Sequence, residues 1–286
     1  MSSESAETTI SLDDEIERKN LEIYTDTEGP AWRSIVYDAV HDGWELINLG
    51  GTESIEYVVE RAPLGAGSRV LELGCGQGAA ARYLAARDRC RVDGIELNEG
   101  QVASARRRLD ESPAEVAARI RVAVGDAATV PSSLFTPPAD AYDAVLAYDL
   151  LMLLPNVPQT LSVAFDALRP GGLLAATTLI SGPRGDDRIR RFAWEIDGMI
   201  DLPPVETYRD RLAAAGFEEI ELNDWSERAV TVHGAMDEVL AARRAELETQ
   251  IGPEGWRGWK EVGDHYMDAF RTGRLGYLML SARRPA

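Results

Sequence analysis

The chain has 286 residues, of which 45% are hydrophobic and 27% charged, and its formal net charge at pH 7 is −18. These values are typical of a soluble globular protein, and so much negative charge repels nucleic-acid phosphates and anionic membranes. Two cysteines without a C-x-x-C pair or a Cys/His cluster indicate neither a disulfide framework nor a metal site. Since the polar N-terminus and the short apolar runs lack signal-peptide and membrane-span patterns, we expect a cytoplasmic protein.

The first sixty residues divide into an arm and a helical segment. The first fifteen or so are acidic and rich in serine, a composition that buries little apolar surface. From about residue 16, apolar residues recur at helical spacing, with interruptions at Gly29-Pro30 and Gly50-Gly51.

Strands and helices then alternate. Strands are predicted at 69–73, 91–97, 120–126, 142–149 and 173–180, and helices at 79–88, 99–112 and 157–172. Residues 181–206 interrupt this rhythm. A helix, a strand at 217–224, a helix-rich insert and a closing strand at 274–284 follow. Because apolar strands alternate with helices, we predict an α/β fold with a doubly wound, seven-stranded, mostly parallel sheet.

The stretch "VLELGCGQGAA" at 70–80 places three glycines, Gly74, Gly76 and Gly78, directly after the first strand. Ligands of doubly wound sheets lie at this edge, where glycine lets the backbone approach them closely. The G-x-G-x-G spacing differs from the G-x-G-x-x-G of nicotinamide dehydrogenases. The preceding Glu72 suits a ligand with an ammonium or sulfonium group, although a tight turn without a ligand is the alternative.

Acidic residues also end the next two strands. An acid at the position of Glu96 accepts hydrogen bonds from ribose hydroxyls in such folds, and Asp126 could accept from the exocyclic amine of adenine. Glu72, Glu96 and Asp126 together indicate a ligand with an amino acid end, a ribose and an adenine. S-adenosylmethionine has these parts in this order.

The chain resembles the class I S-adenosylmethionine-dependent methyltransferases. The matching stretches are "VLELGCGQG", "VDGIELNEGQVASAR", "VGDA", "YDAVLAYDLLMLLPN", "LRPGGLLAATTL", "LAAAGFEEIEL" and "GRLGYLMLSARRP". Within the family it is most similar to sarcosine/dimethylglycine N-methyltransferases and natural-product sugar O-methyltransferases. The resemblance implies a Rossmann-like methyltransferase fold with an arm and helical lid at 1–60, a cofactor-binding core at 61–180, and the rest of the sheet with substrate-cap inserts at 181–286.

The resemblance also implies which residues contact each part of the cofactor. It assigns Glu72, Gly74, Cys75, Gly76 and Gly78 to the methionine part, Glu96 and Gln101 to the ribose, Leu97, Asp126 and Ala127 to the adenine, and Tyr148 to the sulfonium.

The catalytic group is less clear, because an amine acceptor needs no base whereas a hydroxyl or carbon acceptor usually does. Many relatives carry histidine after the fourth strand, where this chain has Met152 and Leu153. Among the three histidines, His265 in the insert and His41 in the lid are candidates, as is Asp149. For each, an ordinary structural role is the alternative.

Aromatic and sulfur-containing residues in the lid and inserts suit an apolar acceptor pocket, although plain packing explains them equally well. The candidates are Trp44, Met152, Trp194, Met199, Trp225 and Tyr266. Arginines at 184, 188, 190 and 191 could grip an anionic group, but a solvated helix face is the simpler interpretation.

The leading hypothesis is methyl transfer to N, O or C of a small metabolite, a natural product or another largely apolar acceptor. One alternative is a sarcosine/glycine-type N-methyltransferase, although "DGWELINLGG" departs from the lid of those enzymes. Another is a protein of this fold that binds the cofactor without methyl transfer. The composition permits a homodimer without requiring one.

Overall fold

The computed structural model describes residues 46–129 and 142–286, together with Glu15, Ile16, Arg18, Lys19, Val36, Ala39, Val40 and Trp44. The strands are β1 (Arg69–Leu73), β2 (Arg91–Glu96), β3 (Ile120–Val124), β4 (Tyr142–Tyr148), β5 (Leu168–Ser181), β6 (Glu218–Asp224) and β7 (Leu275–Arg283). They form one sheet in the order β3-β2-β1-β4-β5-β7-β6, in which β7 runs antiparallel to the other six strands. The predicted seven-stranded, mostly parallel α/β fold is confirmed.

Helices cover both faces of this sheet. They are α1 (Gly51–Arg61), α2 (Ala79–Arg87), α3 (Glu99–Asp110), α4 (Ala114–Ala117), α5 (Val157–Ala167), α6 (Asp187–Asp197), α7 (Val205–Ala214), α8 (Ser226–Ala242) and α9 (Arg244–Arg271). Successive strand residues point to opposite faces. Val70 of β1 therefore packs in a core with α1 and α2, whereas Leu71 and Leu73 pack in a second core with α5 and α7.

The largest departure from the predicted elements is a helix within 181–206, the stretch whose Gly, Pro, Arg and Asp content suggested a break. Asp186 begins this helix, α6, by accepting the Ile189 N–H, and Gly198 ends it at φ 66°. Ile189 and Ala193 are buried, which stabilises a helix whose composition is otherwise polar. A smaller difference is that α5 ends at Ala167, before Pro170.

A third apolar cluster covers the carboxyl ends of β4 and β5. Apolar residues of α6, α8 and α9 form most of it, joined by Val36, Leu49 and Met152. We call this cluster the cap. The division into lid, core and cap at residues 60 and 180 stays a prediction. None of the described helices is both long and apolar enough to cross a membrane.

Candidate cofactor and acceptor site

The turn after β1 presents bare backbone. Gly74, Gly76 and Gly78 have φ values of 67°, 50° and 72°, which favour glycine. The Cys75 N–H donates to the Ile95 carbonyl at 3.0 Å, so the turn remains attached to β2. At Gly76 a Cβ would meet nothing within 4 Å, so the backbone there faces open space. The turn therefore leaves room for a ligand to contact its backbone.

Glu72 is a buried carboxyl group with one oxygen unsatisfied. The residue is 4% exposed, and burial raises the pKa of its carboxyl to about 8. The Ala81 N–H donates to the carboxyl group, while Oε2 has no hydrogen-bond partner among the described residues. A cationic donor would supply the missing partner and favour the ionised form. This orphaned oxygen fits the ammonium of S-adenosylmethionine.

Glu96 is held against the glycine turn by two backbone amides. The Gly76 N–H donates to Oε2 and the Asn98 N–H to Oε1, each at 3.0 Å, while burial raises the pKa of the carboxyl. The side-chain oxygen of Asn98 caps α3 by accepting the Gly100 and Gln101 N–H groups, which places Gln101 in the first helical turn. The Leu97 N–H donates to the Glu96 carboxylate as well, so one of its four lone pairs is left for a ribose hydroxyl.

A small apolar surface lies beside these carboxyl groups. Leu97 is 40% exposed and Val124 37% exposed, unusually high fractions for large apolar side chains here. Asp126 accepts the Ala128 N–H at 2.8 Å, and Ala127 is buried. Sequence reasoning missed Val124, although its pairing with Glu96 in the sheet could have been anticipated from the strand ends. An adenine ring would cover this surface.

Tyr148 lies between β4 and α1. Its hydroxyl donates to the Ser54 carbonyl at 3.2 Å, and burial raises its pKa well above the usual range. Tyr148 is close enough to Glu72 for the carboxylate to raise that pKa further. Its phenol is therefore a fixed, uncharged neighbour of Glu72.

Asp149 accepts hydrogen bonds from three separate parts of the chain. Its Oδ1 accepts the hydroxyls of Thr177 on β5 at 2.8 Å and Tyr277 on β7 at 2.9 Å, and its Oδ2 accepts the Leu49 N–H at 3.2 Å. The Tyr277 oxygen in turn accepts the Gly50 N–H at 3.0 Å. Asp149 has a φ of 49°, and burial raises the pKa of its carboxyl to about 6.

The candidate base His265 packs against Phe192 of α6 and not against Asp149. His41 lies outside the described residues. His265 stacks on Phe192 of α6, with ring centroids 3.9 Å apart, and its Nε2 has no hydrogen-bond partner among the described residues. Partial burial, with Arg274 and Arg188 nearby, lowers its pKa. It packs in the cap, away from the contacts of Asp149.

The residues predicted to bind the acceptor molecule lie in more than one cluster. Met152, Met199 and Tyr266 are buried in the cap, and Trp225 packs against it while meeting Tyr57 edge to face. Met152 also fixes the loop that follows α6, because its carbonyl accepts the N–H groups of residues 200 and 201.

The other two tryptophans lie elsewhere. Trp44 packs edge to face on Tyr83 of α2, with centroids 4.8 Å apart. Trp194 lines an outer groove with Arg190 and Arg191, and Lys19 lies 5.6 Å from its ring. Met199 also lines this groove, and Trp225 packs against the same core as Trp44, so the six predicted residues do not form one group.

Both cysteines are protected. Cys75 and Cys90 are buried, and burial raises the pKa of the Cys90 thiol to about 11 and that of Cys75 well above its usual range. We expect the folded protein to react with a thiol reagent such as dithionitrobenzoate at pH 8 at least about tenfold more slowly than the unfolded chain. Absorbance at 412 nm follows the released thiolate. Fast reaction of one thiol in the folded protein would contradict this burial.

Comparison with known proteins gives the same assignment. The methyltransferase-domain family model matches residues 71–174. The methyltransferase GfsG of Streptomyces halstedii is 27% identical over 272 residues, covering 92% of this chain and 93% of that protein. The (+)-O-methylkolavelool synthase of Herpetosiphon aurantiacus is 25% identical over 276 residues, covering 93% of each.

Solved structures share the fold. Phosphoethanolamine N-methyltransferase 2 of Haemonchus contortus, in complex with S-adenosylhomocysteine, aligns with a TM-score of 0.82 and 18% identity over 95% of this chain. This chain spans 60% of that protein. The cyclase SpnF aligns with a TM-score of 0.64 and 28% identity, covering 81% of this chain and 80% of its own. The resemblance predicted from sequence is confirmed, and the chain is a class I S-adenosylmethionine-dependent methyltransferase that acts on a small molecule.

Proposed function

We propose that the acceptor is a largely apolar metabolite, such as a natural product, and that a hydroxyl of it is methylated. The observation that carries this proposal is the cap, whose apolar side chains face the carboxyl ends of β4 and β5 beside Asp149. An acceptor bound against these side chains would be apolar and oriented by few polar groups. The similarity to a relative named (+)-O-methylkolavelool synthase supports an oxygen acceptor.

The proposed mechanism relies mainly on alignment. When bound, S-adenosylmethionine supplies an electrophilic methyl group. Glu72 and the glycine turn hold its amino acid end, while Glu96, Leu97 and Asp126 hold the ribose and adenine. Met152 and its neighbours in the cap exclude water and orient the acceptor.

Asp149 is the proposed base. With a pKa of about 6, it is ionised at pH 7 and remains basic enough to take the proton of an acceptor hydroxyl, while the methyl group would pass from the sulfonium to that oxygen and S-adenosylhomocysteine would leave. Three of its lone pairs accept hydrogen bonds within the chain, which leaves one for the acceptor.

Two alternatives remain as second candidates. A sarcosine-type N-methyltransferase acts on a small charged acceptor, to which an apolar cap is poorly suited. The similarity to the cyclase SpnF favours testing whether this chain also uses the cofactor fold without methyl transfer. Release of S-adenosylhomocysteine with a methylated product would exclude a protein that only binds.

The first experiment is calorimetric titration of the purified protein with S-adenosylhomocysteine. We expect micromolar or tighter binding, weakened at least about thirtyfold in Glu96→Ala because the carboxylate that accepts from the ribose and holds the glycine turn is lost. Glu115→Ala, an exposed residue on α4, is the matched control and should bind normally. Failure of the wild type to bind would overturn the proposed site, whereas binding would justify an acceptor screen by product mass.

We further propose that the protein is cytoplasmic and acts without nucleic-acid or membrane partners, which its net charge of −18 supports. A homodimer is proposed as the oligomeric state to test first, by light scattering during gel filtration. A monomer mass across the concentration range would exclude it.

A further inference from the structure

An open groove of about 470 Å³ runs beside α6 and the loop that follows this helix. Pockets that bind small molecules have volumes of roughly 300–1,000 Å³, so the groove is large enough for such a ligand. Helix α6 contributes Arg190, Arg191 and Trp194 to its lining. The apolar remainder of the lining consists of Ile16, Pro155, Met199, Ile200 and Leu202. The groove therefore combines an apolar surface with cationic side chains.

The apolar part of the groove is packed and fixed in position. Ile16, Met199 and Leu202 are 5%, 8% and 6% exposed, and the last two also belong to the cap. The loop that carries them is held because the Met152 carbonyl accepts the N–H groups of residues 200 and 201 at 2.8 and 3.1 Å. The apolar body of a ligand would therefore meet a preformed surface next to the cap.

The polar part of the groove is cationic. Arg190 and Arg191 are exposed. Arg190 pairs with Asp187 at 3.0 Å, but the Asp187 side chain is 97% exposed, so this pair contributes little stability and a ligand can replace it. The Lys19 ammonium lies 5.6 Å from the centroid of the Trp194 ring. In a chain with a net charge of −18, three cations beside one apolar groove locally reverse the sign of the surface charge and favour an anionic ligand.

We propose that this groove binds an amphipathic anion, a small molecule that carries a carboxylate on an aliphatic or aromatic body. The planar guanidinium of arginine matches a carboxylate and can bind it through two parallel hydrogen bonds. Trp194 and Met199 supply apolar and polarisable contacts for the body of the ligand. The proposal goes beyond the proposed function, because it assigns a ligand to Arg190, Arg191 and Trp194, which the proposed mechanism does not use.

The test compares octanoate with octan-1-ol, which share an aliphatic chain and differ in the carboxylate. Ligand-observed NMR titration of the full chain at low ionic strength measures both affinities without cofactor, so the outcome does not depend on the proposed function. We expect octanoate to bind the wild type at least about fivefold more tightly than octan-1-ol. Arg191→Ala should weaken octanoate binding at least about fivefold and leave octan-1-ol binding unchanged. Trp194→Ala should weaken the binding of both probes by about threefold or more, because apolar contact is lost.

Arg184→Ala provides the matched control, because Arg184 is an exposed arginine shortly before α6 that does not line the groove. It should bind both probes as the wild type does. Equal affinity of the wild type for the two probes, or no saturable binding of octanoate, would overturn the proposal. Equal weakening of octanoate binding in Arg184→Ala and Arg191→Ala would also overturn it, since the arginines would then act only as a solvated helix face. Unchanged binding of both probes by Trp194→Ala would place them outside the groove, with the same consequence.

Discussion

Asp149→Asn is expected to lower kcat at least about a hundredfold, because the amide cannot accept the proton of the acceptor hydroxyl. Affinity for S-adenosylhomocysteine should change much less, since the glycine turn and Glu96 are untouched. Asp143→Asn is the matched control: Asp143 is on β4 as well, but near the strand's start, where it accepts the Arg69 backbone N–H and pairs with the Arg169 side chain. Initial rates and calorimetry distinguish the two effects, and unchanged kcat would exclude Asp149 as the base.

The same substitution tests the pKa of Asp149 through stability. The folded-state pKa is about 6, above the unfolded value of 3.8, so the folded state retains a proton that the unfolded chain releases. The stability contribution of this group is therefore fully present below about pH 4 and lost as pH rises through 6. Two pKa units correspond to about 3 kcal/mol in the free energy of unfolding.

Urea unfolding of wild type and Asp149→Asn across pH 4 to 7 measures this contribution as a difference. We expect the wild type to lose stability relative to the variant between these limits, by up to about 3 kcal/mol. The difference isolates Asp149 because the other carboxyl groups are common to both proteins. A difference that does not vary with pH would contradict a raised pKa.

Gly74→Ala is expected to weaken S-adenosylhomocysteine binding more than about a hundredfold. A Cβ at Gly74 would lie 2.8 Å from Cδ1 of Leu150, and its φ of 67° is already unfavourable for alanine. The strained φ and the crowding against the Leu150 side chain together disturb the turn that receives the cofactor. Calorimetry measures the affinity, and circular dichroism verifies that the variant is folded.

Gly171→Ala separates the effect of a positive φ from the effect of a Cβ in the turn that receives the cofactor. Gly171 also has a positive φ, 74°, but a Cβ there would meet nothing within 4 Å, and it lies away from the glycine turn. We expect it to lose about 1 kcal/mol of stability while binding S-adenosylhomocysteine normally. Equal binding losses in the two variants would show that the turn at Gly74 has no special role.

The sheet and the polar ends of its strands could be predicted from sequence because both depend on local patterns. Apolar runs indicated β1 to β5. Glu72 and Glu96 lie at the carboxyl ends of β1 and β2, and the parallel arrangement brings these ends to one edge of the sheet. Helix α6 was missed because its stability comes from two buried positions, Ile189 and Ala193, in a stretch rich in charges. Periodicity alone does not reveal such tertiary stabilisation.

The surroundings of the strand ends could not be predicted because they depend on contacts between distant residues. Tyr277 follows Asp149 by 128 positions, yet its hydroxyl donates to that carboxylate. Likewise, no local pattern indicates that the Asn48 Oδ1 is buried without a hydrogen-bond partner among the described residues. His265, Trp44 and Trp194 had residue types suited to a site, but types do not say which cluster a side chain joins.

The separation of the cap from the two cores has an evolutionary consequence. The cap is formed mainly by α6, α8 and α9, which enter the chain in two insertions between strands, whereas the glycine turn depends on β1, β2 and α2. Mutations that reshape the cap can therefore accumulate without disturbing the residues at the turn. A lineage of such enzymes can acquire new acceptors while inheriting its methyl donor, and ancestral reconstructions that exchange only these insertions should retain affinity for S-adenosylhomocysteine.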